Sequence, residues 1–197
     1  MKAMNHRDSV WRFKAQVFNH MLSNKMACWL FDPASLTARL IAACDGQFRV
    51  QVISQAWGSP MFNELKRLGM RLREKALIRE VFLYCDDEPW VFARTVIPRS
   101  TLTGKQKYLA NLGSRPLGAV LFADPNMRRD HFEVACMRPG EVLYAHANQL
   151  NSAKSDSEQP EYIWGRRSAF YLSDKPLLVN EVFLPAIASC PGPAVKY

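Results

Sequence analysis

A chain of 197 residues with 48% hydrophobic and 22% charged residues is too apolar to stay disordered and long enough to bury one core. Lysine and arginine outnumber aspartate and glutamate by 26 to 18, yet the densest basic stretch, Lys66 to Lys75, alternates with leucine and methionine and matches no nucleic-acid motif. No apolar run is long enough to cross a bilayer, and the charged stretch Met1 to Lys25 has no secretory h-region, so a cytoplasmic protein is expected, without nucleic-acid partners or stable membrane insertion.

Val10, Phe13, Val17, Phe18 and Met21 follow helical spacing, which predicts a helix within 8–26 and an N-terminal extension, 1–27, ahead of a main domain, 28–197. A second helix is predicted from Ser35 to Cys44, capped by Ser35 and stopped at Asp45-Gly46. Phe48 to Ile53 alternates like a strand. Leu77 to Tyr84 and Pro89 to Ile97 read as a hairpin about the turn Asp86-Asp87-Glu88. Short helices are predicted for Gly104 to Leu112, closed by Gly113, and for Pro116 to Phe122. His131 to Cys136 is strand-like. The polar stretch 137–162 reads as a long inserted loop. Arg167 to Leu172 and Leu177 to Leu184 form a second hairpin about Ser173-Asp174-Lys175, and the proline-rich tail after Pro185 is expected to pack loosely. Together these elements predict an α+β fold: a single domain with an antiparallel sheet and helices grouped between strands.

Five cysteines, Cys28, Cys44, Cys85, Cys136 and Cys190, show no close-spaced pair and read as small buried hydrophobes. There is no HExxH, CxxC, Gly-x-Ser-x-Gly or phosphate-loop glycine pattern. The His131-Phe132-Glu133 fragment lacks the cysteine half of a zinc deaminase signature, and His6, His20 and His146 lie in segments expected to be peripheral. An enzyme without these motifs would work by positioning its substrate rather than through a metal or a covalent intermediate.

Strand alternation isolates two charges. Arg79 shares a face with Val81 and Leu83, and Glu181 shares one with Val179 and Phe183. A charge on an apolar face is costly unless compensated. Either Arg79 and Glu181 pair with each other or lie outward, or both face a closed pocket. In the pocket reading Arg79 grips a carboxylate through its planar fork and Glu181 bonds a hydroxyl at the far end of a flat ring. Arg79 or Arg94 nearby would favour the ionised form of Glu181.

Ile78-Arg79-Glu80-Val81, Glu88-Pro89-Trp90 and Ala93-Arg94-Thr95-Val96-Ile97-Pro98 closely resemble the central hairpin of bacterial chorismate pyruvate-lyases. Ser100-Thr101-Leu102-Thr103-Gly104, Pro116-Leu117-Gly118, Arg129-Asp130, Trp164-Gly165-Arg166-Arg167-Ser168 and Glu181-Val182-Phe183-Leu184-Pro185 continue the resemblance, which spans about Trp29 to Ala186. It implies a chorismate lyase-like domain with a ligand buried beneath flap-like segments. Its substrate would be chorismate, cleaved to 4-hydroxybenzoate and pyruvate without a cofactor. The family's ligand-contacting positions fall on Leu36, Arg79, Leu117 and Glu181, with Leu36 replacing a frequent methionine. The resemblance also implies hand-off of the product to a membrane prenyltransferase of ubiquinone synthesis, and a monomer is expected. Two departures are the longer N-terminal segment and the expanded 137–162 stretch. A non-catalytic ligand-binding module is the competing function class, because the fold resembles ligand-sensing domains of some transcription regulators.

Overall fold

The computed structural model describes residues 7–17, 22–149 and 159–190. Its strands are β1 (Arg12–Phe13), β2 (Phe48–Gly58), β3 (Ala76–Cys85), β4 (Glu88–Pro98), β5 (Arg128–Arg129), β6 (Glu133–Met137), β7 (Ile163–Leu172) and β8 (Lys175–Phe183). Among the described residues they form one eight-stranded antiparallel sheet in the order β1-β6-β7-β8-β4-β3-β2, with β5 paired to β7 off that path. The helices are α1 (Asn24–Leu30), α2 (Leu36–Ala43), α3 (Phe62–Leu68), α4 (Leu117–Phe122) and α5 (Val142–Ala147), and a 3-10 segment spans Gly104–Asn111.

Both predicted hairpins form. The β7–β8 turn places Ser173 and Asp174 at positive φ, the pair of left-handed residues that a tight two-residue hairpin demands. Helix α2 begins as expected, with Ser35 Oγ accepting from Ala38 N at 3.4 Å. The helix expected over Pro116 to Phe122 also forms, as α4.

The predicted N-terminal helix is not one element. Val10 and Phe13 are 62% and 51% exposed, so the apparent stripe buries nothing there. Arg12 and Phe13 instead pair with β6, Lys14–Gln16 makes a single 3-10 turn, and residues 18–21 lie outside the described set. Helix α1 starts only after Ser23, whose Oγ caps Met26 N, and it sinks Met26, Trp29 and Leu30 into the core. The 137–162 stretch is not all loop: α5 buries Leu143, Tyr144 and Ala147 against the sheet. Nor is the tail loose up to residue 190, because Ile187 is fully buried.

Strand alternation gives the sheet two different faces. One is covered by α1, α2, α4 and the 3-10 segment, with apolar clusters around Trp29, Leu36 and Leu40 and around Leu109, Leu117 and Leu121. On the other, α3 and α5 cover Phe82, Phe92 and Val182 together with a buried ionic network.

Cys44 and Cys85 are joined by a disulfide, which corrects the reading of both as free buried thiols. Sequence spacing conceals the pair, since 41 residues separate them, but the end of α2 lies against the end of β3. A cross-link closing a loop of that length contributes about 2–4 kcal/mol, mainly by restricting the unfolded chain. Urea unfolding of the oxidised protein should therefore show a higher midpoint than with dithiothreitol, and a Cys85→Ser variant should be insensitive to the reductant. Equal midpoints with and without reductant would show that the bridge adds no stability.

Candidate active site

The sheet face beneath α2 and α4 lines a cavity. Alternation builds its floor: Arg79, Val81 and Leu83 from β3, Ala93 and Thr95 from β4, Val179 and Glu181 from β8, and Arg166 and Phe170 from β7. Leu36 and Thr37 of α2 and Leu117, Gly118 and Leu121 of α4 roof it. All four residues nominated from the sequence, Leu36, Arg79, Leu117 and Glu181, therefore face one space.

Arg79 is 2% exposed. Its Nη2 donates to the carbonyls of Gly113 at 2.9 Å and Arg115 at 3.3 Å, just ahead of α4. Its Nε is buried with no hydrogen-bond partner, and among the described residues no carboxylate lies within ion-pair distance. Burial pushes its pKa down, but a guanidinium stays charged near neutrality. A buried cation with an unsatisfied donor is destabilising in isolation, a cost that an anion within reach of that donor would relieve.

Glu181 does not pair with Arg79. Its carboxylate accepts from Arg166 Nε at 2.6 Å, across the β7–β8 register. Arg166 is 1% exposed, and its Nη1 donates to the carbonyls of Trp29 at 3.0 Å and Asp32 at 2.6 Å. This arginine thus ties Glu181 to the corner between α1 and α2. Arg94, the other expected neighbour, projects from the opposite face, where it bonds Glu64 and Glu80. His146, expected to be peripheral, joins that network through Nδ1 at 2.8 Å from Glu80; His6 and His20 lie outside the described residues.

Sequence reading misses Arg166 and Arg129 as cavity residues. The signal for Arg166 is present: extending the strand back to Ile163 puts Arg166, Ser168 and Phe170 on one face and Arg167 on the other. Arg129 sits on a two-residue strand, too short for any periodicity. Its Nε donates to Ser168 Oγ and its Nη1 to the carbonyl of Pro33, each at 3.0 Å.

The two roof segments meet over the cavity. A Cβ added at Gly118 would come within 2.7 Å of Thr37 Oγ1, so only glycine lets α4 approach α2 this closely.

The family description "Chorismate lyase" matches residues 7–190. A protein of Methylococcus capsulatus named "Probable chorismate pyruvate-lyase" is 43% identical over 169 residues, covering 86% of this chain and 100% of its own. One of the same name from Psychromonas ingrahamii is 44% identical over 171 residues, covering 83% of this chain and 84% of its own. Among solved structures, the C-terminal domain of histidine utilization repressor from Pseudomonas syringae aligns with TM-score 0.52 at 10% identity, over 76% of this chain and 100% of that one. A GntR-family transcriptional regulator from Bacillus cereus aligns with TM-score 0.50 at 9% identity, over 77% and 96%. Those two likenesses concern the fold alone. The family description spans residues 7–190 and the relatives match over more than four fifths of the chain: the chain belongs to the chorismate lyase family.

Proposed function

We propose that this chain is a carbon–oxygen lyase that converts chorismate to 4-hydroxybenzoate and pyruvate. The observation that carries the reading is Arg79: a buried guanidinium with a free donor, at one end of an apolar cavity that has a hydrogen-bonding carboxylate, Glu181, toward the other. Arg79 takes the ring carboxylate, Glu181 takes the ring hydroxyl, and Leu36 and Leu117 close on the ring. In the reaction the C4–H bond breaks and its hydrogen moves to the enolpyruvyl methylene, which becomes the methyl of pyruvate. The C3–O bond breaks with it, and the new C3–C4 double bond completes the aromatic ring. This cyclic route needs no side-chain base and no cofactor; the protein contributes orientation and electrostatic support.

Glu181 orients the ring in this scheme. Glu181→Gln, which keeps the size and much of the hydrogen bonding, should slow turnover only about tenfold, near 1.4 kcal/mol. A folded variant that binds normally yet loses several powers of ten would make Glu181 the general base instead.

In this reading the enzyme acts in the cytoplasm as a monomer, and the family likeness supports a place at the first committed step towards ubiquinone, with transient hand-off of 4-hydroxybenzoate to a membrane prenyltransferase. Disulfides are the exception in a reducing cytoplasm, so there Cys44 and Cys85 would stand as neighbouring thiols. The second reading, a ligand-binding module, draws on the fold likeness to the regulators. Incubating the protein with chorismate and measuring both products separates the two: equimolar 4-hydroxybenzoate and pyruvate support the lyase, and binding without conversion supports the module.

A further inference from the structure

Among the described residues the cavity is lined by three guanidinium groups, Arg79, Arg129 and Arg166, and one carboxylate, Glu181. That arithmetic, three positive charges and one negative, leaves +2 along one lining. A single bound carboxylate would neutralise half of it. Arg79 has its place in the reading above and Arg166 is committed to Glu181 and to the α1–α2 corner, which leaves Arg129.

Arg129 is an unpaired cation: among the described residues no carboxylate reaches ion-pair distance, and its Nη2 donates to nothing. Burial pushes its pKa down, partly offset by the more distant charges of Glu181 and Asp32. Its Cζ lies 5.2 Å from the Phe170 ring centroid and 5.6 Å from that of Phe132, contacts that hold the group without neutralising it. It lines both this cavity and an outer cleft shared with Pro33, Arg128, Asp130, His131 and Phe132.

The order of these groups across the sheet matches the order of substituents on the substrate. Arg79 stands on β3, Glu181 on β8 two strands away, and Arg129 beyond β7 on β5. On the ring, the first carboxylate lies para to the hydroxyl, and the ether that bears the three-carbon chain and its own carboxylate lies next to that hydroxyl. We propose that Arg129 binds this second carboxylate, first as enolpyruvate ether and then as pyruvate, and so sets specificity for a dianionic substrate. The proposal rests on the lyase reading and adds a residue to it.

The test compares substrate with aromatic product, because only the substrate carries the second carboxylate. Arg129→Gln should lower kcat/KM for chorismate on the order of 100-fold, while the inhibition constant of 4-hydroxybenzoate changes less than about twofold. Arg129→Lys, which keeps the charge but not the fork, should recover part of the loss. Unchanged kcat/KM would overturn the proposal. So would a parallel loss of 4-hydroxybenzoate affinity, which would make Arg129 a strut holding the Pro33 segment through its carbonyl. If Arg129→Gln does not fold, the lysine variant is read by the same two constants, and an unaltered kcat/KM in it counts against the fork. Failure of the wild-type protein to cleave chorismate at all is a separate outcome, which removes the lyase reading itself.

Discussion

Arg79→Ala should weaken 4-hydroxybenzoate binding by on the order of 2–5 kcal/mol, the range for removing one partner of a buried charge pair. The size follows from the environment: Arg79 is 2% exposed, sits on an apolar strand face, and has no acidic partner among the described residues. Lysine should restore only part of the affinity, because a point charge lacks the second parallel donor. The same guanidinium donates to the Gly113 and Arg115 carbonyls, so alanine also releases the segment leading into α4, and the bound ring should exchange faster. Calorimetric titration of the folded variant gives the answer directly. Affinity equal to wild type would place the ring carboxylate elsewhere.

The second large effect lies on the far side of the sheet. Glu64 is fully buried and accepts from Arg94 Nε at 2.9 Å, from Arg94 Nη2 at 3.2 Å and from Asn180 Nδ2 at 3.0 Å, while capping Met61 N at 2.9 Å. Arg94 also donates from Nη1 to Glu80 at 2.7 Å. Arg94→Ala would strand two buried carboxylates, a loss of about 3–5 kcal/mol. At about 2–4 °C per kcal/mol for a domain of this size, Tm should fall by roughly 6–20 °C. Burial by itself would push the Glu80 carboxyl up, but the hydrogen bonds and charges of His146 and Arg94 hold it down at about 2. A depressed carboxyl stabilises the fold above its ordinary value of 4.5 and ceases to do so as pH falls towards 2. The wild type should accordingly lose stability across that acid window, and Arg94→Ala should lose less of what remains. Thermal melts between pH 2 and 6 check both. A variant as stable as wild type at pH 7 would mean that the network contributes specificity without stability.

Much of this architecture is legible in the amino-acid sequence. The two hairpins show period-two alternation with turn residues between, and the same alternation isolates Arg79 and Glu181 on apolar faces. Leu36 and Leu117 are reached only through family resemblance, because a leucine on a short helix carries no signal that separates ligand contact from core. What stays hidden is mostly long-range. The Arg166–Glu181 bond depends on strand register, the Cys44–Cys85 bridge on how α2 meets β3, and the Arg94 network on α3, a helix that overlaps the start of the basic stretch Lys66 to Lys75. The N-terminal segment misleads for the opposite reason: its helical spacing is real, but Phe13 and Val10 find no core to enter.

A roof over the cavity and the proposed two-ended grip on the ring together predict the form of turnover, and rapid mixing of the protein with excess chorismate measures it. Roof opening should limit release of the aromatic product. The expected trace is a burst of close to one 4-hydroxybenzoate per chain, then a slower steady state that added 4-hydroxybenzoate suppresses. Pyruvate should form in equal total yield. Chorismate left intact, or a linear trace without burst or product inhibition, would contradict catalysis inside this cavity.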